Sequence, residues 1–379
     1  MRGGTRYSII LLILMILLAG CGGDGDDTTT TAEPAEATEA PDTTEAGAET
    51  TAAAADTTAA EADSTEAVDT TAAPEGDLPV VRLSALSGGL TAVALLIIEE
   101  NGFDTANGFQ GEYNYMDADA SGQFFLQGNS DIAFDFDAAG AAIARTQGIN
   151  VAVFYPILNN NNCIMVAEDS PYQEPADLIG ETVGHFGADS GTTTSLSTVL
   201  SEYYDIDVFT DYTLVETGPP ALVELLAQGE VAAIFDFVPH TSRAEVQVPA
   251  RCLLGPIHDT LQEVPDNLEN HLSAMAASDE WLAGNEETAL AVMAAWDDAI
   301  EWLNEDPSRL VEEPYLTVLA QDDPAVLDLI VEQVTEIPLF TNDWSPEVQE
   351  GVENWIDLAA EQGILFDENP GDVVSVVGE

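Results

Sequence analysis

One ten-residue phrase occurs twice in this chain, and it constrains the fold more than any other feature. Gln127-Gly128-Asn129-Ser130-Asp131-Ile132-Ala133-Phe134-Asp135-Phe136 aligns without a gap on Gln228-Gly229-Glu230-Val231-Ala232-Ala233-Ile234-Phe235-Asp236-Phe237, 101 residues further on. Each copy follows a stretch of helical character and reads as a helix, a Gly stop and a short apolar strand. A supersecondary unit written twice points to two similar α/β lobes. Each lobe would carry an acidic-aromatic strand end toward a common place.

The flanking segments follow the same alternation. Residues 80–86 are strand-like, Ser87-Gly88-Gly89 is a turn, and residues 90–100 form an apolar helix stopped by Asn101-Gly102. Strands are expected at 110–116, 131–136 and 151–157, with helices at 121–127 and 138–147. After an extended segment at 163–168, a second set opens with a strand at 182–186 and a Gly/Ser/Thr loop at 187–194. A helix at 195–204, a strand at 212–216 and a helix begun by Pro219-Pro220 complete it. Residues 272–277 read as a strand returning to the first lobe. Leu290, Met293, Trp296, Ile300 and Leu303 then share one helical face, and Ser345-Pro346 opens a last helix ending at Gly363. The reading is α/β, with a mostly parallel sheet in each lobe. Residues 78–168 and 272–379 are assigned to the first lobe and 169–271 to the second.

Upstream, residues 1–21 have the character of a lipoprotein signal peptide. Arg2 and Arg6 precede an apolar run too short to span a bilayer, which ends in Leu18-Ala19-Gly20-Cys21. That ending resembles a bacterial lipobox, which implies lipidation of Cys21 and anchoring to the outer face of the cell membrane. Residues 22–77 are Thr, Ala, Glu, Asp, Pro and Gly with almost nothing apolar beyond Ala. Such a segment cannot offset the entropy of ordering and is expected to be a disordered tether, its ends roughly 40 Å apart.

Several segments in register resemble the solute-binding proteins of ABC importers, in the branch serving nitrate, alkanesulfonates, taurine and thiamine-pyrimidine precursors. They are Leu96-Ile97-Ile98-Glu99-Glu100-Asn101-Gly102-Phe103, the first phrase, Pro175-Ala176-Asp177-Leu178-Ile179-Gly180, and the run from Ala221 through the second phrase. Two departures stand out. Ile179 and Glu181 occupy positions near which the family usually carries Lys, and Phe237-Val238-Pro239-His240 replaces a frequent acidic-Pro pair. The resemblance implies a two-lobed periplasmic-binding-protein-like fold of type II, with two hinge crossings and extra C-terminal helices. It also implies a monomeric protein that holds a small-molecule solute in the cleft and delivers it to a permease and its ATPase subunit. A surface sensor or adhesion lipoprotein on the same fold is the alternative.

Open α/β sheets bind ligands beyond the carboxyl ends of their strands, so the loops there supply the candidate residues. These are Ser87, Gly88 and Gly89; Ser121; Asp135, Phe136 and Asp137; Phe186; and Asp236, Phe237 and His240. The loop at 187–193, with Ser190, Gly191, Thr192 and Thr193, is the best anion cradle, having Gly for close approach and a helix start with unpaired N–H groups. Asp135 and Asp236 ask for the opposite, a donor or cation, with the Phe residues stacking on a flat part of the ligand. Aminopyrimidine-like and sulfonate- or nitrate-type solutes are therefore both in play.

No enzyme is indicated. The family's fold also serves pyridoxal-phosphate-consuming pyrimidine synthases, whose chemistry needs a Lys, and this chain has none. Ser190 lacks the elbow spacing of a hydrolase nucleophile. The calcium-loop-like Asp117-Ala118-Asp119-Ala120-Ser121-Gly122 has Gly128 where the bidentate acid belongs, so neither cofactor nor metal is expected. Cys163 and Cys252 are an even pair in an exported chain, which allows a disulfide, although two buried free thiols is the favoured reading.

Composition closes off other partners. Seventy acidic residues face seven basic ones, giving a formal net charge of −63, and such a surface has no basic patch for nucleic acid or anionic lipid. Self-repulsion on this scale requires screening, which molar salt supplies by shortening the Debye length to about 3 Å. A marine or halophilic setting follows. Melting temperature is expected to rise clearly between a few millimolar and about 1 M NaCl; a flat response in a thermal melt would contradict this.

Overall fold

The computed structural model describes residues 78–116, 118–188, 190–319, 321–336, 338–363 and 369–378. The signal segment with Cys21, the tether, and Asp117 and Asp189 lie outside them. Alternation at the start of the body buries Val81, Leu83 and Ala85 on a seven-residue strand, β1 (Val80–Leu86). The strands that follow are β2 (Gln110–Met116), β3 (Ile132–Phe136), β4 (Val151–Asn159), β5 (Cys163–Ala167) and β6 (Thr182–His185). Then come β7 (Thr213–Glu216), β8 (Ala233–Asp236), β9 (Ala250–Leu254) and β10 (His271–Ser278).

The helices between them are α1 (Leu90–Asn101), α2 (Phe103–Ala106), α3 (Ala118–Leu126), α4 (Ala138–Thr146), α5 (Gly191–Tyr204), α6 (Val208–Asp211) and α7 (Pro219–Gln228). Beyond these lie α8 (His240–Gln247), α9 (Ile257–Gln262), α10 (Asp279–Gly284), α11 (Glu286–Glu305), α12 (Tyr315–Leu319), α13 (Pro324–Glu336) and α14 (Pro346–Gln362). Gly102, Gly229 and Gly363 end α1, α7 and α14 in the left-handed conformation, as their places after apolar runs predict.

The strands form two five-stranded sheets, in the orders β2-β1-β3-β10-β4 and β7-β6-β8-β5-β9. The two orders correspond position by position, and the repeated phrase supplies the third strand of each. In each sheet one strand runs against the other four: β10 is antiparallel to β3 and β4, and β5 to β8 and β9. Those two reversed strands are the ones delivered by the chain as it crosses between sheets. Each lobe therefore completes its sheet with a strand from beyond a crossing.

Three expectations need correction. The first lobe was bounded at 168, but the change of sheet falls between Asn159 and Cys163, because β5 already pairs with β8 and β9. The C-terminal helices were assigned to the first lobe alone, yet α14 packs on both α4 and α5 and α13 packs on α8. Polar bonds fix these contacts: Ser201 donates to Gln362 at 2.7 Å and Ser242 to Gln333 at 2.6 Å. Finally, Cys163 and Cys252 form a disulfide rather than remaining free thiols. The insertion of β5 beside β9 brings them together, with Met165 opposite Cys252.

The crossings are polar and buried. Asn160, Asn161 and Asn162 are each at most 2% exposed, and their side chains take part in the joint. Asn160 Nδ2 and Asn270 Nδ2, one from each crossing, both donate to Ser195 Oγ on α5, at 3.1 and 2.7 Å. Thr192 donates to Asn162 Oδ1 at 2.7 Å, and Asn161 Oδ1 accepts from the Val238 amide at 2.8 Å. Gly255, with a φ of +118°, lies so close to Asn162 and Cys163 that any side chain there would collide with backbone.

The disulfide ties residues 89 apart beside the first crossing. Cross-linking a loop of this size restricts the unfolded chain, so replacing both cysteines with Ser is expected to lower the unfolding free energy by about 2–5 kcal/mol. Denaturant melts of the double variant, with thiol titration of denatured unreduced protein, check this; reactive Cys163 and Cys252 thiols or an unchanged midpoint would contradict it.

Candidate functional site

The carboxyl ends of β1, β3, β6 and β8, the far end of β4 and the start of β10 converge on a cavity of about 400 Å³ between the lobes. This is the crevice that parallel strand order predicts. Of the residues singled out from sequence, it brings together Gly89, Ser121, Asp135, Phe136, Asp137, Phe186, Ser190, Gly191, Thr192 and Phe237. Ser87, Gly88, Thr193, Asp236 and His240 are not among its lining residues.

Asp135 and Asp137 dominate the electrostatics. Burial pushes the Asp135 carboxyl up to about 6, against the opposing effect of the hydrogen bond donated by Ser121 Oγ. The Asp137 carboxyl is also raised to about 6 by burial, opposed by the Gly140 amide, which donates to Oδ1 at 2.6 Å and so caps α4. Its Oδ2 points to the other lobe, where a side chain on Gly191 would collide with it. The Asp137 carboxylate thus sits against the start of α5.

That placement weighs against the reading of residues 187–193 as an anion cradle. The start of α5 is capped by its own Ser190, whose Oγ accepts from the Thr193 amide at 3.2 Å. A further negative group there would face the Asp137 carboxylate. Thr193 is wholly buried, between Ser190 and His185.

Asp236 departs most from expectation, although its phrase matches that of Asp135. It is wholly buried, with Oδ1 accepting from the Phe237 amide at 3.0 Å and Oδ2 without a partner among the described residues. Burial holds its carboxyl well above the usual range. The two strands differ in register. β8 pairs residue for residue with β5, Asp236 standing opposite Cys163. In β3 the pairing with β10 shifts, so that three steps from Ala133 to Phe136 match two from Ala276 to Ala274. That bulge re-aims Asp135 into the cleft.

The aromatic expectations divide likewise. Phe186 and Phe237 form an edge-to-face pair with ring centroids 5.6 Å apart and wall the second-lobe side. Phe136 reaches the cavity but is only 8% exposed and packs on Phe125. His240 lies behind Phe237, and burial together with Arg243 lowers its imidazole to about 4.

Among the lining residues not singled out from sequence, two carry unpaired hydroxyls. Thr91 and Ser273 line the cavity, are 6% and 2% exposed, and have hydroxyls without a partner among the described residues. Buried hydroxyls are normally paired. Thr91, second in a helix that follows a Gly-Gly turn, could have been found from helix-start logic. Ser273 carried no local signal, since only sheet pairing sets its face.

Ionised Asp135 is disfavoured in the folded state, whose pKa exceeds the unfolded 3.8. The cost is absent below about pH 4, grows as pH rises to about 6, and is complete above it. Asp135→Asn is expected to raise the unfolding free energy of ligand-free protein near pH 7.5 by roughly 1–3 kcal/mol, and to change it little near pH 4. Equal effects in denaturant melts at the two pH values would contradict the assignment.

The fold has solved counterparts. The periplasmic aliphatic sulphonate binding protein SsuA from Escherichia coli matches with a TM-score of 0.60 at 17% identity, over 77% of this chain and 94% of its own. The alkanesulfonate-binding protein SsuA from Xanthomonas axonopodis pv. citri, bound to MOPS, matches with a TM-score of 0.60 at 16% identity, over 80% and 100%. A ligand-binding component of an ABC-type import system from Staphylococcus aureus, with zinc bound, gives 0.57 at 12% identity, over 79% and 97%. These likenesses establish the fold as the two-lobed, type II periplasmic-binding-protein architecture. No curated protein matches the chain. Residues 92–310, more than half of the sequence, match the family model described as NMT1/THI5 like, and the chain belongs to that family.

Proposed function

We propose that this protein is the extracytoplasmic solute-binding component of an ABC importer, anchored to the cell membrane through a lipidated Cys21. It captures a small organic solute between its lobes and passes it to a permease with its ATPase subunit. One observation carries the reading: the cavity is lined by both lobes and holds buried hydroxyls, on Thr91 and Ser273, that lack partners among the described residues. Both hydroxyls belong to the first lobe, so a ligand that partners them while resting on Phe186 and Phe237 of the second would be held by both lobes at once and would favour their closed arrangement. The solved proteins that share the fold and are titled as ligand-binding components of importers agree with this reading.

No Lys, Cys or His is among the described residues that line the cavity. Ser121 donates to an acid, and Ser190 is engaged in capping. Capture without chemistry is the reading they support, for an aminopyrimidine-like or a sulfonate- or nitrate-type solute.

Native mass spectrometry of gently purified protein is expected to show a trapped small molecule. The same molecule, added back after unfolding and refolding, raises the melting temperature. Cys21→Ala is expected to release the protein to the medium. No trapped mass, with no stabilisation by a panel of small organic solutes, would remove the capture reading.

A further inference from the structure

The charges around the cavity are one-sided. Two carboxylates, Asp135 and Asp137, line it, and none of the five Arg among the described residues does. Arg82 pairs with Asp131 at 2.5 Å, Arg145 with Asp279 at 2.6 Å, Arg243 with Glu224 at 2.6 Å and Arg309 with Glu305 at 3.3 Å. Arg251 donates to the Tyr172 carbonyl. A free anion in the cavity would meet two carboxylates with no protein cation to offset them, and Asp137 already covers the start of α5.

Donors converge at the other end. The N-cap of α1 is Gly89, which has no side chain to bond the first N–H groups, and Gly89, Leu90 and Thr91 line the cavity. Those N–H groups point toward the helix start, and the Thr91 hydroxyl beside them has no partner among the described residues. This end suits a carbonyl, carboxylate or other acceptor. Between the two ends, the Phe186–Phe237 pair offers aromatic surface, which is compatible with a flat ligand and attracts positive charge.

We infer that the cleft selects a bipolar organic solute, its cationic nitrogen against Asp135 and its hydrogen-bond acceptor at the start of α1 beside Thr91. Asp137 then acts in specificity by barring a simple anion from α5. Asp135 keeps acceptor capacity after the bond from Ser121, because an ionised carboxylate accepts at about four positions. A nitrogen cation there makes a charge-assisted bond in a half-buried setting. This inference rests on the solute-binding reading and narrows it by charge.

Three near-isosteric probes separate the charge classes: p-(aminomethyl)benzoate, p-methylbenzylamine and p-ethylbenzoate. Calorimetric titration of the full chain in about 1 M NaCl removes diffuse attraction of cations to the acidic surface. The zwitterion is expected to bind tightest and the anion weakest, with about tenfold between successive probes, the scale of one charge-assisted bond. Asp135→Asn should weaken the two amines about tenfold or more without weakening the anion. Thr91→Val should weaken the zwitterion and the anion, which both carry the acceptor, and leave the amine unchanged. The ranking on the unmodified protein tests the idea even where a variant folds poorly. Anion binding equal to that of the amine, absence of binding by all three, or indifference to Asp135→Asn each overturns it. A trapped solute that proves purely anionic overturns the charge assignment and leaves capture standing, whereas the absence of any trapped or stabilising solute removes both.

Discussion

A single hydroxyl, Ser195 Oγ, joins the two passages of chain between the lobes. It accepts from Asn160 in the first crossing and Asn270 in the second, and donates to the Gly191 carbonyl at 2.6 Å. That uses its one donor and both acceptor sites. Because α5 begins at Gly191, the same hub sets the start of the helix that faces Asp137 across the cleft. The geometry of the cavity follows from this joint. Buried Asn side chains suit such a place, since each must be paired and the pairing specifies one arrangement.

Around the joint, the fold manages an extreme charge. With 70 acidic residues against seven Arg, the described Arg side chains are engaged away from the cleft, and the charged residues that line it are both acids. Keeping Asp135 ionised in a partly dry site lowers stability. The bulge in β3 puts this acid into the cavity, whereas the regular pairing of β8 withdraws its twin Asp236.

Much of the architecture was legible in the residues themselves. The repeated phrase marks the third strand of each sheet, Pro219-Pro220 starts α7, and Gly102, Gly229 and Gly363 stop three helices. These are local effects of backbone stereochemistry and apolar spacing, which neighbours in sequence decide. The site was less legible. α5 begins at Gly191 rather than at the expected Ser195. The Gly/Ser/Thr loop has the marks of an anion site, yet a carboxylate from the other lobe lies against the helix start there. No local rule could place Asp137 beside a residue in a separate lobe.

By itself, then, the sequence determined two α/β lobes, their strand ends and the acidic character of the surface, because periodicity, turn residues and charge count are properties of short stretches or of the whole chain. Only the tertiary structure decided that β5 and β10 exchange between sheets, that Cys163 meets Cys252, and that Asp135 faces the cleft while Asp236 does not. Each of those outcomes depends on register or adjacency between strands far apart in the chain. A shift of one residue in pairing reverses a side chain's face, and no single stretch contains the information that sets it.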